Sequence, residues 1–137
     1  MRAKIFFASL LLTAIGVGQD FPSFADCEPR HHGELSIRVS PAVEHGRFLK
    51  GGRFEDPNLK HDASRLRGNV EVRTLIDPSG KVVCAMVISA SSPMLSTGAL
   101  EAVKTAEFKS YEIQQDKVFV EVTLRVHADK GVFKIAW

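Results

Sequence analysis

The most regular stretch of the chain runs from Val118 to Val126, where apolar and other residues alternate without a break. Val118, Val120, Val122, Leu124 and Val126 point one way, and Phe119, Glu121, Thr123, Arg125 and His127 point the other. A period of two over this length predicts a half-buried strand. Upstream, Val70, Val72, Thr74 and Ile76 alternate with Glu71, Arg73 and Leu75, a second half-buried strand. Asp77-Pro78-Ser79-Gly80 follows as a tight turn, with proline fixing φ after the aspartate and glycine at the permissive last position. The next strand, from Lys81 to Ser89, is nearly all apolar, so both its faces are covered or it lies centrally in the sheet.

Two helical patterns flank these strands. Leu59, Ala63 and Leu66 are spaced for a short amphipathic helix over Leu59 to Arg67, which Gly68 stops. Ser91-Ser92-Pro93 has the chemistry of a helix start. From Met94 to Glu107, Leu95, Ala99, Ala102, Val103 and Ala106 then make one apolar stripe, with Glu101, Lys104 and Glu107 outside it. A polar break from Tyr111 to Asp116 precedes the long strand, and Val132 to Trp137 is a candidate closing strand after the Asp129-Lys130-Gly131 turn. The four-residue turn makes the first two strands antiparallel neighbours. The expected fold is therefore α+β and two-layered: a three- to four-stranded, mainly antiparallel sheet with two helices on one face.

Residues 26–56 read as an irregular N-terminal arm. Pro29, Pro41, Gly46 and Gly51-Gly52 punctuate it, and only Leu35 to Val39 alternates as an early strand ended by Ser40-Pro41. Before the arm, Arg2 and Lys4 precede an apolar run from Ile5 to Val17. As a helix that run spans about 20 Å, short of the roughly 30 Å hydrocarbon core, so residues 1–25 read as a secretory signal peptide. Ser23-Phe24-Ala25 suits cleavage after Ala25, and Ala14-Ile15-Gly16 offers an earlier site after Gly16. An uncleaved inner-membrane anchor is the alternative. The domain itself occupies residues 57–137.

Composition narrows the functional classes. A formal charge of +2 carries no bias toward nucleic acid, because polyanion binders concentrate Lys and Arg on one face. The two cysteines, Cys27 and Cys84, are permitted to bridge in an exported protein. A flexible Cys27 and a small buried Cys84 that never meet is the other reading. Adjacent His31 and His32 diverge on an extended backbone, and His45 and His61 lack the spacing of an HExxH helix. No metal or cofactor is implied. There is no GxSxG elbow, no phosphate-cradling loop and no paired carboxylates with contrasting surroundings. Ser89, Ser91, Ser92 and Ser96 are accounted for by capping and turns.

Five segments carry a family resemblance: Gly68-Asn69-Val70-Glu71-Val72; Asp77-Pro78-Ser79-Gly80-Lys81-Val82; Ala90-Ser91-Ser92-Pro93; Ala99-Leu100-Glu101-Ala102-Val103; and Phe108. In this order and spacing they resemble the TonB C-terminal domain over roughly Pro57 to Val126. The chain departs from that pattern at Asp56-Pro57, Ala106 and Ser110, and it shows neither the membrane helix nor the proline-rich spacer of a full energy transducer. The resemblance implies a non-catalytic periplasmic binding module linked to transport across the outer membrane. It further implies that a short extended segment of an envelope or outer-membrane receptor is captured beside the last strand.

The residues at that edge would be Phe119, Glu121, Thr123, Arg125 and His127, with a homodimer through the last strand as a further use of the same edge. The competing arrangement is that Val132 to Trp137 folds back and closes it. The competing function is a small envelope enzyme or metal binder using the histidine-bearing arm. For export, intact-mass measurement on periplasmic material is expected to show the loss of residues 1–25; a full-length species held in the membrane fraction would make the segment an anchor.

Overall fold

The computed structural model of the protein describes residues 36–56 and 67–137. Along the chain these form β1 (Ser36–Arg38), α1 (Pro41–His45), β2 (Phe48–Lys50), β3 (Arg53–Glu55), β4 (Gly68–Ile76) and β5 (Val82–Ala90). A 3-10 turn (Pro93–Leu95) then leads into α2 (Ser96–Lys104), β6 (Glu107–Phe108), β7 (Tyr111–Ile113), β8 (Asp116–Asp129) and β9 (Val132–Ala136). The fold is α+β and mainly antiparallel, as the periodicity predicts. The expected helix at Leu59 to Arg67 falls mostly outside the described residues.

The centre of the sheet is the pairing of β4 with β8, which runs without interruption from Gly68↔Ala128 to Ile76↔Val120. Its unbroken register follows from the two alternating sequences, since a one-residue slip would turn every valine to the wrong face. Val70, Val72, Val120, Val122, Leu124 and Val126 are all buried on one face, and α2 packs against it with Ala99, Leu100, Ala102 and Val103. Phe133 of β9 completes this core by lying over Gly98. A Cβ on that glycine would come within 2.3 Å of the phenylalanine ring, so residue 98 has no room for a side chain.

The sheet is larger than the expected three or four strands, with seven strands and the path β3-β9-β8-β4-β5. The difference comes from the arm. Its β1 joins β8, its β3 pairs with β9, and its β2 forms a separate two-stranded sheet with β6. Residues 36–56 are thus built into the sheet rather than laid over it. The polar break before β8 is also ordered. It holds β7, which pairs with the start of β8 through a turn in which Gln114 and Gln115 take φ of 50° and 71°.

Strand β5 is an outer strand, not a central one. The β4 register skips Val83 and Ile88, leaving both as bulges, and these two residues are among the exposed large apolar side chains. The apolar run was misleading because two of its residues are pushed out by the extra backbone. The helix start also differs. Ser92 makes no side-chain cap, and α2 begins at Ser96. Ser91 instead ties the strand ends together, its Oγ accepting from the Asn69 amide at 3.0 Å.

The Asp77 turn is as read from the sequence: Gly80 donates to the Asp77 carbonyl at 2.9 Å, and Asp77 Oδ1 accepts from the amides of Ser79 and Lys81. Gly80 has φ +90°, and its carbonyl accepts from the Phe108 amide at 2.8 Å, so the hairpin tip is sewn to β6. Phe108 is 2 % exposed and its ring lies edge-on to Phe48 and Trp137. Phe108→Ala is therefore expected to cost about 3–5 kcal/mol in denaturant melts. A variant as stable as the parent would contradict this packing.

Candidate functional site

Strand β8 has two unlike sides. Towards β4 it meets one continuous strand. On the other side it meets two short pieces, β1 opposite Phe119 to Glu121 and β9 opposite Arg125 to Asp129, while β7 pairs with Asp116 to Val118 beyond the end of β4. Between Glu121 and Arg125 no strand of the described residues pairs on that side. The Val39 amide donates to the Glu121 carbonyl at 3.0 Å, which fixes the direction of the backbone groups. Strand alternation then turns the amides and carbonyls of Phe119, Glu121, Thr123, Arg125 and His127 toward β1 and β9.

Thr123 sits in the gap. Two shallow clefts of about 270 and 340 Å³ flank it and share Pro41 and Thr123 in their walls. One continues to Glu71, Arg125 and Trp137, the other to Arg38, Arg73 and Glu121.

The side chains of the five candidate residues lie on the sheet face away from α2, not along an open rim. Phe119 packs on buried Leu75 and Cys84. Glu121 Oε1 takes the Arg73 Nε at 2.6 Å and the Arg38 Nη2 at 3.4 Å, joining β4 and the arm through one carboxylate. Arg125 pairs with Glu71 at 3.6 Å, and His127 Nδ1 lies 3.1 Å from the Asn69 Oδ1. The open edge expected along Val118 to Val126 is thus corrected: β8 is an interior strand, because the arm and β9 return to it. The last strand lacks a free edge as well, since β9 lies between β8 and β3. With Phe133 seated over Gly98, β9 is part of the core.

The sequence reading missed the residues that hold the arm in place. Ser40 and Pro41 cap and start α1, with Ser40 Oγ accepting from Val43 at 3.4 Å. The serine–proline pair is a helix-start signal, but beside an alternating run it serves equally as a strand end. His45 stacks on Trp137 with ring centroids 4.9 Å apart and planes at 6°. Phe48 lies 5.3 Å from the same indole, and the Arg47 guanidinium lies 4.5 Å above the Tyr111 ring. Gly52 donates to Thr105 Oγ1 at 2.9 Å where the arm passes the end of α2.

Of the other candidates, Cys84 is disulfide-bonded, and its expected partner Cys27 lies outside the described residues, as do His31, His32 and His61. Among the described residues no group of His, Cys, Asp and Glu has a metal-holding arrangement, and no helix is long and apolar enough to cross a membrane.

With this geometry in view, residues 60–127 match the family model of the Gram-negative bacterial TonB protein C-terminal region. That segment forms the β4–β5–α2–β8 unit just described, and through it the chain belongs to the TonB C-terminal family. Members of this family are non-enzymatic interaction domains of the periplasm that engage outer-membrane receptors. No curated protein and no solved structure gives a match to the chain.

Glu44 sits at the base of the arm. It is 1 % exposed, and its Oε1 has no hydrogen-bond partner among the protein atoms. Burial raises its pKa above the ordinary 4.5, partly opposed by the charge of Arg47. The folded state then holds the proton more tightly than the unfolded chain. Its stabilising effect is complete below pH 4.5 and is lost as pH rises through the raised value. Glu44→Gln keeps the shape without the charge. It should raise the melting temperature at pH 7 and flatten the pH profile above 4.5 in thermal melts; an unchanged profile would remove Glu44 as its source.

Proposed function

We propose that this protein is a non-catalytic binding module of the cell envelope, exported to the periplasm by cleavage of residues 1–25. It takes up an extended segment of an outer-membrane transport protein along the β1/β9 side of β8. One observation supports the reading most: that side of β8 is covered by only two short pieces, β1 and β9, with a gap at Thr123, while the other is sealed by β4. A segment added as a strand gains affinity from backbone hydrogen bonds, and alternate side chains supply specificity.

The outer edge at β5 suits this role less well, because bulges at Val83 and Ile88 break its row of amides. Around the gap, Arg38, Arg73 and Arg125 together with Trp137 are the residue types that dominate binding energy when desolvated. A bridge from Cys27 to Cys84 would hold the start of the arm close to the back of the sheet.

A photo-crosslinking residue placed at Thr123 tests this in cells. The expected product is an adduct with an outer-membrane transport protein that maps to one extended segment. The same probe at exposed Lys104 on α2 should give none. Equal yields of one adduct from both positions, or none from Thr123, would move the interface off β8.

A further inference from the structure

Strand β1 is the one parallel strand in the described sheet, and its neighbours explain why it is so short. Its ladder follows a simple rule: Ser36, Ile37 and Arg38 lie opposite Phe119, Val120 and Glu121, and the Val39 amide donates to the Glu121 carbonyl. The next bond in that series would run from the amide of residue 41 to the Thr123 carbonyl. Residue 41 is proline and has no amide to give. The chain turns away there into α1, and the gap at Thr123 is the result.

What β1 contributes before it stops is chemically specific. Ile37 and Val39 are half-buried and pack on the main core. Arg38 between them points the other way and reaches Glu121, with its own side chain 77 % exposed. The site therefore holds an aliphatic–basic–aliphatic tripeptide in extended form. It holds it weakly as a strand, since the principal anchors of the arm lie further on, at His45, Arg47 and Phe48.

We infer that β1 is a resident stand-in for the external partner and is exchanged for it. The partner is an extended segment running parallel to β8. It carries aliphatic residues at the positions of Ile37 and Val39, a basic residue between them, and an amide-bearing residue in place of Pro41. Such a segment makes the bonds β1 makes and adds one to Thr123, so it displaces the arm despite the arm's advantage of being tethered. This inference rests on the proposed capture at β8 and specifies which segment is captured.

The test uses the whole exported chain and a labelled peptide copying Ser36–Ala42 with Pro41→Ala. Binding is compared for the wild type and for a double variant, Ile37→Ser with Val39→Ser, that vacates the edge. The variant should bind the peptide at least tenfold more tightly than the wild type. The peptide that keeps Pro41 should bind several-fold more weakly, and a peptide with Ile37→Asp and Val39→Asp should not bind. Equal affinity for both proteins, or indifference to the aspartates, overturns the inference.

Should the double variant fail to fold, hydrogen exchange on the wild type decides. Saturating peptide should speed exchange at the Val39 amide, and an unchanged rate overturns the inference. The two readings separate cleanly. A Thr123 cross-link made equally by the wild type and the vacated variant keeps capture at β8 and removes the stand-in. Absence of that cross-link from both removes capture at β8 itself.

Discussion

Everything in this molecule is referred to the unbroken pairing of β4 with β8. Because nine residues of β4 keep one register, a single row of valines faces α2, and the remaining residues form the ladder of Glu71, Arg73, Glu121 and Arg125 on the reverse face. The same register places the bulges of β5, since that strand must follow β4 while carrying two extra residues. It also sets how far β8 extends past β4, leaving Asp116 to Phe119 beyond the end of the pairing, where β7 and the start of β1 attach. Opposite charges facing across the strands add only a few tenths of a kcal/mol to about 1 kcal/mol each. Burial of the valine face supplies the larger part, at roughly 25 cal/mol per Å² of apolar surface.

The arm obeys a different logic. Its strands are three residues long, too short to hold through backbone pairing alone, and side chains do most of the fixing. His45 and Phe48 grip Trp137, Arg47 covers Tyr111, and the Gly51-Gly52 crossing lets the backbone pass close to Thr105. A buried and incompletely partnered Glu44 works against this grip at neutral pH. The arm is thus well anchored in its second half and lightly held in its first, which is the half lying on β8.

How much of this was legible in the sequence depended on whether a local pattern had one physical solution. The alternations at Val70 to Ile76 and Val118 to Val126, and the Asp77 turn, had one, and the domain built from them follows the sequence closely. Five short segments in fixed order were enough for the family. The apolar run of β5 had two solutions, central strand or bulged outer strand, and only the register against β4 distinguishes them. The arm was harder still. Ser40-Pro41 signals both a strand end and a helix start, and here it is both. That Phe119, Glu121, Thr123, Arg125 and His127 share one parity was readable; that the chain's own ends return to cover that parity's backbone was not, because it depends on contacts between residues far apart in sequence.

The two bulges of β5 have a consequence for the protein as a colloid. Val82 to Ala90 holds no charged residue, and of all the described strands its sequence comes nearest to that of an amyloid-forming segment. It nevertheless lies on the outside of the sheet. Straight and regular, it would template the addition of further chains. The inserted Val83 and Ile88 spoil its straightness, so two aliphatic residues that look like an invitation to stick act, through the backbone, as spacers against stacking. A deletion at either position would make the strand more regular and the protein less soluble.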